Sequence, residues 1–109
     1  MKLFTKPVEN AIEKTPFYSQ DGKKGEAKVI ARFFLQNCTW YVLEGNNATG
    51  ELYGLVDMGY GFEYGYFDRR QLETVRGAWG LGVERDLSIK PLKMTVAECM
   101  TMYGETFDL

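Results

Sequence analysis

The residues best suited to chemistry in this chain are Glu84, Arg85 and Asp86, a charged triplet inside an otherwise apolar-patterned segment, with Arg76 a short way ahead of it. In a strand Glu84 and Asp86 would share one face and Arg85 would take the other. Grouped around a small pocket, these four residues could bind a ligand or supply paired carboxylates for acid/base work. They could equally form an ion-pair network, since a buried guanidinium needs a carboxylate partner. The residue types favour the network, with Arg85 held by at least one carboxylate.

The rest of the catalytic inventory is missing. Histidine is absent, which removes Ser-His and Cys-His nucleophile pairs and every zinc site that uses imidazole. Cys38 and Cys99 are the only thiols, too few for a four-sulfur site. No acidic loop has calcium-binding spacing. No catalytic residue, cofactor or metal is therefore expected. Gly77 to Gly82 lacks the Gly-Lys-Ser/Thr that completes a phosphate-cradling loop. Gly59-Tyr60-Gly61-Phe62 matches only part of an RNA-stacking strand, with Met58 where a cation belongs and acidic flanks.

Charge is distributed unevenly. From residue 33 to residue 68 there is no Lys or Arg, while Glu44, Glu51, Asp57, Glu63 and Asp68 supply five carboxylates. Basic residues lie toward both ends of the chain. An acidic centre repels nucleic acid and attracts a basic protein surface. Glu44, Glu51, Asp57 and Glu63, with Trp40 and Tyr41 as aromatic anchors, are thus the candidate binding residues. The plainer reading is that an exposed sheet face carries charge for solubility.

Several elements must position these residues. Thr5 to Lys14 reads as a short helix with Pro7 in its first turn, closed by Thr15-Pro16. Ser19 to Glu26 is polar and glycine-rich and reads as an exposed loop. Period-two alternation from Ala27 to Leu35 predicts a strand, followed by strands over 39 to 44, 51 to 57 and 62 to 67. Short polar connections between them predict an antiparallel meander. Asp68 and Gln71 have capping-box spacing for a helix over 69 to 76, stopped at Gly77. Val83 to Ile89 would be a fifth strand. Thr95 and Glu98 cap a final helix in which Val96, Cys99, Met100 and Tyr103 share one side and Gly104 ends the turn.

A length of 109 residues suits one domain with one core. The expected fold is α+β: a twisted antiparallel sheet of four or five strands with two or three short helices, those at 69 to 76 and 95 to 103 covering one face. No apolar run is long enough to span a bilayer, and the first residues lack a signal-peptide core. A cytoplasmic protein with reduced cysteines is expected.

Thr39-Trp40-Tyr41 with Glu44, Glu63-Tyr64-Gly65-Tyr66-Phe67, Leu72-Glu73 with Val75-Arg76-Gly77, and Gly80-Leu81-Gly82-Val83-Glu84-Arg85-Asp86 follow in an order that resembles a family of small bacterial, plasmid and phage proteins, the domain of unknown function 2958. The likeness runs from Thr5 to about Pro91 and implies cargo of a mobile element, carried near genes for plasmid maintenance or defence evasion. It implies no chemistry. The reading that joins these strands of argument is a non-enzymatic protein-binding module of a phage or plasmid, directed at a host defence complex through a basic partner surface. The competing reading is a small-ligand protein or minor enzyme built on Arg76, Glu84, Arg85 and Asp86.

Overall fold

The computed structural model describes residues 1–107. In chain order they form α1 (Lys6–Lys14), β1 (Ala31–Leu35), β2 (Cys38–Gly45), β3 (Glu51–Asp57), β4 (Phe62–Asp68), α2 (Arg69–Thr74), β5 (Glu84–Arg85) and α3 (Val96–Tyr103). All pairings are antiparallel, and the sheet order is β4-β3-β2-β1-β5. The four long strands thus make the expected meander, with β5 returning to lie beside β1.

Local chemistry accounts for the helix boundaries. Asp68 and Gln71 form a complete capping box at the start of α2, and Thr95 and Glu98 form another at the start of α3; each box satisfies two backbone donors that a helix start leaves without partners. Gly104, in the left-handed region at φ 65°, ends α3 as a glycine at that position is suited to do. The N-cap Thr5 of α1 makes no side-chain cap bond; Pro7 occupies the first turn instead. The helix over 69 to 76 stops short of Gly77, because Val75 already has extended backbone angles.

The sheet separates two cores, where the sequence suggested one. On its front face Val8, Ala11 and Ile12 of α1 and Leu72 of α2 pack with Phe33, Trp40, Val42, Leu52 and Phe67. On its back face Val96, Cys99 and Met100 of α3 pack with Tyr41, Leu43, Leu55 and Phe62. The expectation that α2 and α3 cover the same face is therefore corrected. Strand residues alternate between faces, and the middle strands are apolar on both sides, so each face needs its own cover. Arg69 joins the two front helices: it reaches Glu9 of α1 at 2.7 Å and Glu73 at 3.3 Å, with its guanidinium 4.6 Å from the Phe4 ring centre.

Three further expectations are corrected. The alternation from Ala27 to Leu35 does not hold one face, for Ala27 and Val29 enter the back core while Ile30 and Ala31 both enter the front core. The backbone of 27–29 is bonded to the segment leading into α3, Val29 N–H donating to the Met94 carbonyl and Val96 N–H to the Ala27 carbonyl, both at 2.9 Å. Residues 83–89 contribute only the two-residue β5, because the Asp86 carboxylate accepts from the Ser88 amide at 2.9 Å and turns the chain. Gln20, placed by sequence in an exposed loop, is buried: its amide nitrogen donates to the Lys28 and Leu43 carbonyls at 2.8 Å each, and its amide oxygen accepts from Lys28 N–H.

Among the described residues no helix is long and apolar enough to cross a membrane. Both cysteines are unbridged.

Candidate functional site

The pairing of β3 with β4 builds the most distinctive surface of the molecule. The register sets Tyr53 opposite Tyr66, Leu55 opposite Tyr64 and Glu51 opposite Asp68, so all of these side chains occupy the back face. There the Tyr53 ring lies 4.8 Å from that of Tyr66 and 6.1 Å, nearly parallel, from that of Tyr64. Phe17 continues the row beyond Tyr66 at 5.7 Å, and Phe107 continues it beyond Tyr64 at 5.5 Å. Five aromatic rings thus run in an unbroken line across the edge of the sheet. Tyr64 is 39% exposed and Tyr66 54%. α3 covers the back of the central strands and leaves this strip open.

The phenols on the strip stay protonated through neutral pH. Burial, with Glu44 and Asp21 nearby, pushes Tyr53 up. Burial and the adjoining Tyr53 ring raise Tyr64. Tyr66 is raised first by the neighbouring Tyr18 hydroxyl, then by burial. The strip therefore offers ring faces and hydroxyl donors with carboxylates beside them, a combination suited to Lys and Arg side chains of a partner.

The four candidate carboxylates do not make one surface. Glu51 and Asp57 share the tyrosine face, and Asp57 is engaged in its own turn, accepting from the amides of Gly59 at 2.7 Å and Gly61 at 3.1 Å. Glu63 lies opposite Val56 and points to the front face. Glu44 is buried, accepting from the backbone amides of Tyr18 at 2.9 Å and Gln20 at 2.8 Å. Strand alternation accounts for the first separation. The second follows from the irregular register between Val42 and Glu44, which leaves Glu44 facing the 16–20 segment.

Trp40 and Tyr41 are not surface anchors either. β2 is the central strand, with cover on both sides, so Trp40 is buried in the front core and Tyr41 in the back core. The exposed aromatics lie elsewhere. Trp79 is 96% exposed and Tyr60 98%, and both stand at the end of the sheet where the Gln36 and Asn37 side chains abut Gly77 and Gly59.

The Arg76, Glu84, Arg85, Asp86 group is divided. Glu84, Arg85 and Asp86 line a shallow depression of about 560 Å³ together with Arg32 and Tyr103. Arg76 is absent from it; its guanidinium donates to the backbone carbonyls of Glu73 and Val75. Arg85 donates to the Leu3 carbonyl at 3.4 Å and, among the described residues, has no carboxylate within ion-pair distance. The ion-pair network expected of Arg85 belongs to Arg32, which lies 3.6 Å from Asp86 and 2.9 Å from Glu105. Tyr41 and Tyr103 complete the group, Tyr41 donating to Glu105 and Tyr103 to Asp86. Burial opposes the charge on Arg32, but the bonds to Glu105 and Tyr41 outweigh it and raise the guanidinium pKa. With Arg32, Asp86, Glu105, Tyr41 and Tyr103 all partnered, this cluster anchors β1 to the segment after α3.

On the front face, a groove of about 450 Å³ opens between β4 and α2, with Trp40, Val56, Phe67, Leu72 and Val75 among its apolar walls and Glu63 as its one charged lining residue. A Cβ placed on Gly65 would meet nothing within 4 Å.

Sequence reasoning passed over the tyrosine row, the groove, Arg32 and Gln20. The row was detectable in principle, since Glu51-Leu52-Tyr53 and Tyr64-Gly65-Tyr66 alternate and a short turn joins their strands. The groove has no such signal, because it depends on how far α2 stands off the sheet.

These features define a small α+β protein with an antiparallel sheet covered by helices on both faces and an open aromatic margin. The chain belongs to the family described as protein of unknown function (DUF2958), matched over residues 3–104. No curated protein and no solved structure matches it.

Proposed function

We propose that this chain is a non-enzymatic protein-binding module whose partner presents a basic surface. The observation that carries the reading is the line of five rings from Phe17 to Phe107, in which Tyr64 and Tyr66 lie exposed along β4. Tyrosine is favoured at interfaces because one rigid side chain supplies both contact area and a hydrogen-bonding tip. Glu51 and Asp68 stand beside the row on the same face, and no Lys or Arg occurs between residues 33 and 68. Cations of a partner would meet both the ring faces and the carboxylates there. The setting in a phage or plasmid, and with it inhibition of a host defence complex, comes from the family likeness.

Affinity purification with the wild-type chain and with a Tyr53→Ser, Tyr66→Ser double variant tests the reading. A host protein should be retained by the wild type at low salt, released as salt screens the charges, and lost from the folded double variant. Identical retention by the two chains would remove the tyrosine strip from consideration.

A further inference from the structure

We propose that β4 accepts an extended segment of the partner as an added strand, and that this segment alternates basic with apolar side chains; the proposal rests on the protein-binding reading above. The two edges of the sheet differ. The edge at β5 is two residues long and ends in the turn at Asp86. The edge at β4 runs seven residues, paired to β3 without a break, and leaves its outward backbone groups without strand partners. Pro, Lys, bulges or a covering helix usually blunt such an edge. Phe62-Glu63-Tyr64-Gly65-Tyr66-Phe67-Asp68 contains neither Pro nor Lys, and its pairing is regular.

The surroundings of the edge specify the segment. An added strand sends alternate side chains to opposite faces. Those on the front would enter the groove of about 450 Å³ beside Gly65, where apolar groups fit. Those on the back would lie against Tyr64 and Tyr66, with Asp68 and Glu51 adjacent, where ammonium or guanidinium groups fit. Charge selects this occupant over a second copy of the chain. A second β4 would bring only further carboxylates, Glu63 and Asp68, and no Lys or Arg of its own, so it would supply no counter-charge to this edge, which a basic segment does.

Four peptides test the proposal by titration against the labelled protein, read by amide chemical shifts and hydrogen exchange: acetylated Lys-Leu-Lys-Leu-Lys-Leu-Lys amide, the same peptide N-methylated at every Leu, the same N-methylated at every Lys, and acetylated heptalysine. The parent should shift and protect the amides of residues 62–68. One methylation pattern should weaken binding by at least about tenfold, equivalent to one or two lost hydrogen bonds, and the other should leave it unchanged, since only one edge of the peptide meets β4. Gly65→Leu should fill the groove and weaken the parent peptide without lowering the melting temperature. Equal binding by both methylated peptides, or by heptalysine, with perturbation confined to the rings of Tyr53, Tyr64 and Tyr66 and no protection of the β4 amides, would overturn strand addition and leave the protein-binding reading standing. If no peptide perturbs β4 or the tyrosines, both fall. Self-association through the β4 amides would assign the edge to a second copy and overturn the proposal.

Discussion

The guanidinium of Arg32 lies 3.9 Å from the centre of the Tyr103 ring, held there by Asp86 on one side and Glu105 on the other. All three partners come from the last quarter of the chain, so one side chain of β1 fixes the C-terminal segment to the sheet. Removing it strands two partly buried carboxylates, and losses of this kind cost on the order of 3 kcal/mol. Arg32→Ala should therefore lower the melting temperature by about ten degrees or more. Arg85→Ala, which loses one long bond to a carbonyl, should cost under about 1 kcal/mol. Thermal melts of the two variants side by side check the contrast, and equal losses would refute it.

Gly54 and Gly65 face each other across β3 and β4, yet they should respond oppositely to substitution. A Cβ on Gly54 would stand 1.8 Å from the Tyr41 carbonyl oxygen, and backbone cannot move aside as a side chain does. Gly54→Ala should be among the most destabilising single substitutions, while Gly65→Ala should be neutral or mildly stabilising, since glycine is costly in a strand. Urea midpoints of the two variants decide the matter.

Alkaline pH should weaken the fold through Cys99. Burial pushes its thiol from 9.0 up to about 11, with Arg32 opposing the rise. A pKa raised by folding gives stability that is present below the unfolded value and lost as pH climbs through the folded one. Stability should thus decline between about pH 9 and pH 11, with the Tyr41 phenol, raised by burial and by Glu105, extending the decline upward. Denaturant midpoints across that window should fall less steeply for Cys99→Ala than for wild type. At pH 8 a thiol reagent should label Cys38 well before the buried Cys99.

The capping box of α3 allows a smaller and cleaner test. Thr95→Ala removes the acceptor for the Glu98 amide and should cost about 1 kcal/mol. Thr95→Ser should restore most of it.

Much of the fold was legible because its signals are local. Thr95 with Glu98, Asp68 with Gln71, and the alternation of Glu51 to Asp57 each specify an element within a few residues, and β3 begins and ends where that alternation does. The distribution of helices over two faces was not legible, since it depends on which side of the sheet each connection passes. The candidate site fared worse for a related reason. Glu44 and Glu63 differ in exposure because of an irregular register and a strand parity, and neither is visible in residue type. Arg32 read as one of several outward residues of a strand, while its charged partners lie more than fifty positions away in Asp86 and Glu105. Arg85, with carboxylates on both sides in sequence, drew the inference that belonged to Arg32.

The two-core arrangement also bears on how the molecule is made. A chain emerges from its N-terminus onward, so α1, the meander and α2 are available to close the front core while α3 is still to come. Until Val96, Cys99 and Met100 arrive, the rings of Tyr41 and Phe62 and the side chains of Leu43 and Leu55 present a bare apolar plane, and Arg32 still lacks Glu105. The half-made molecule is therefore a sticky one, dependent on what shields that plane, and synthesis of α3 is the step that closes it.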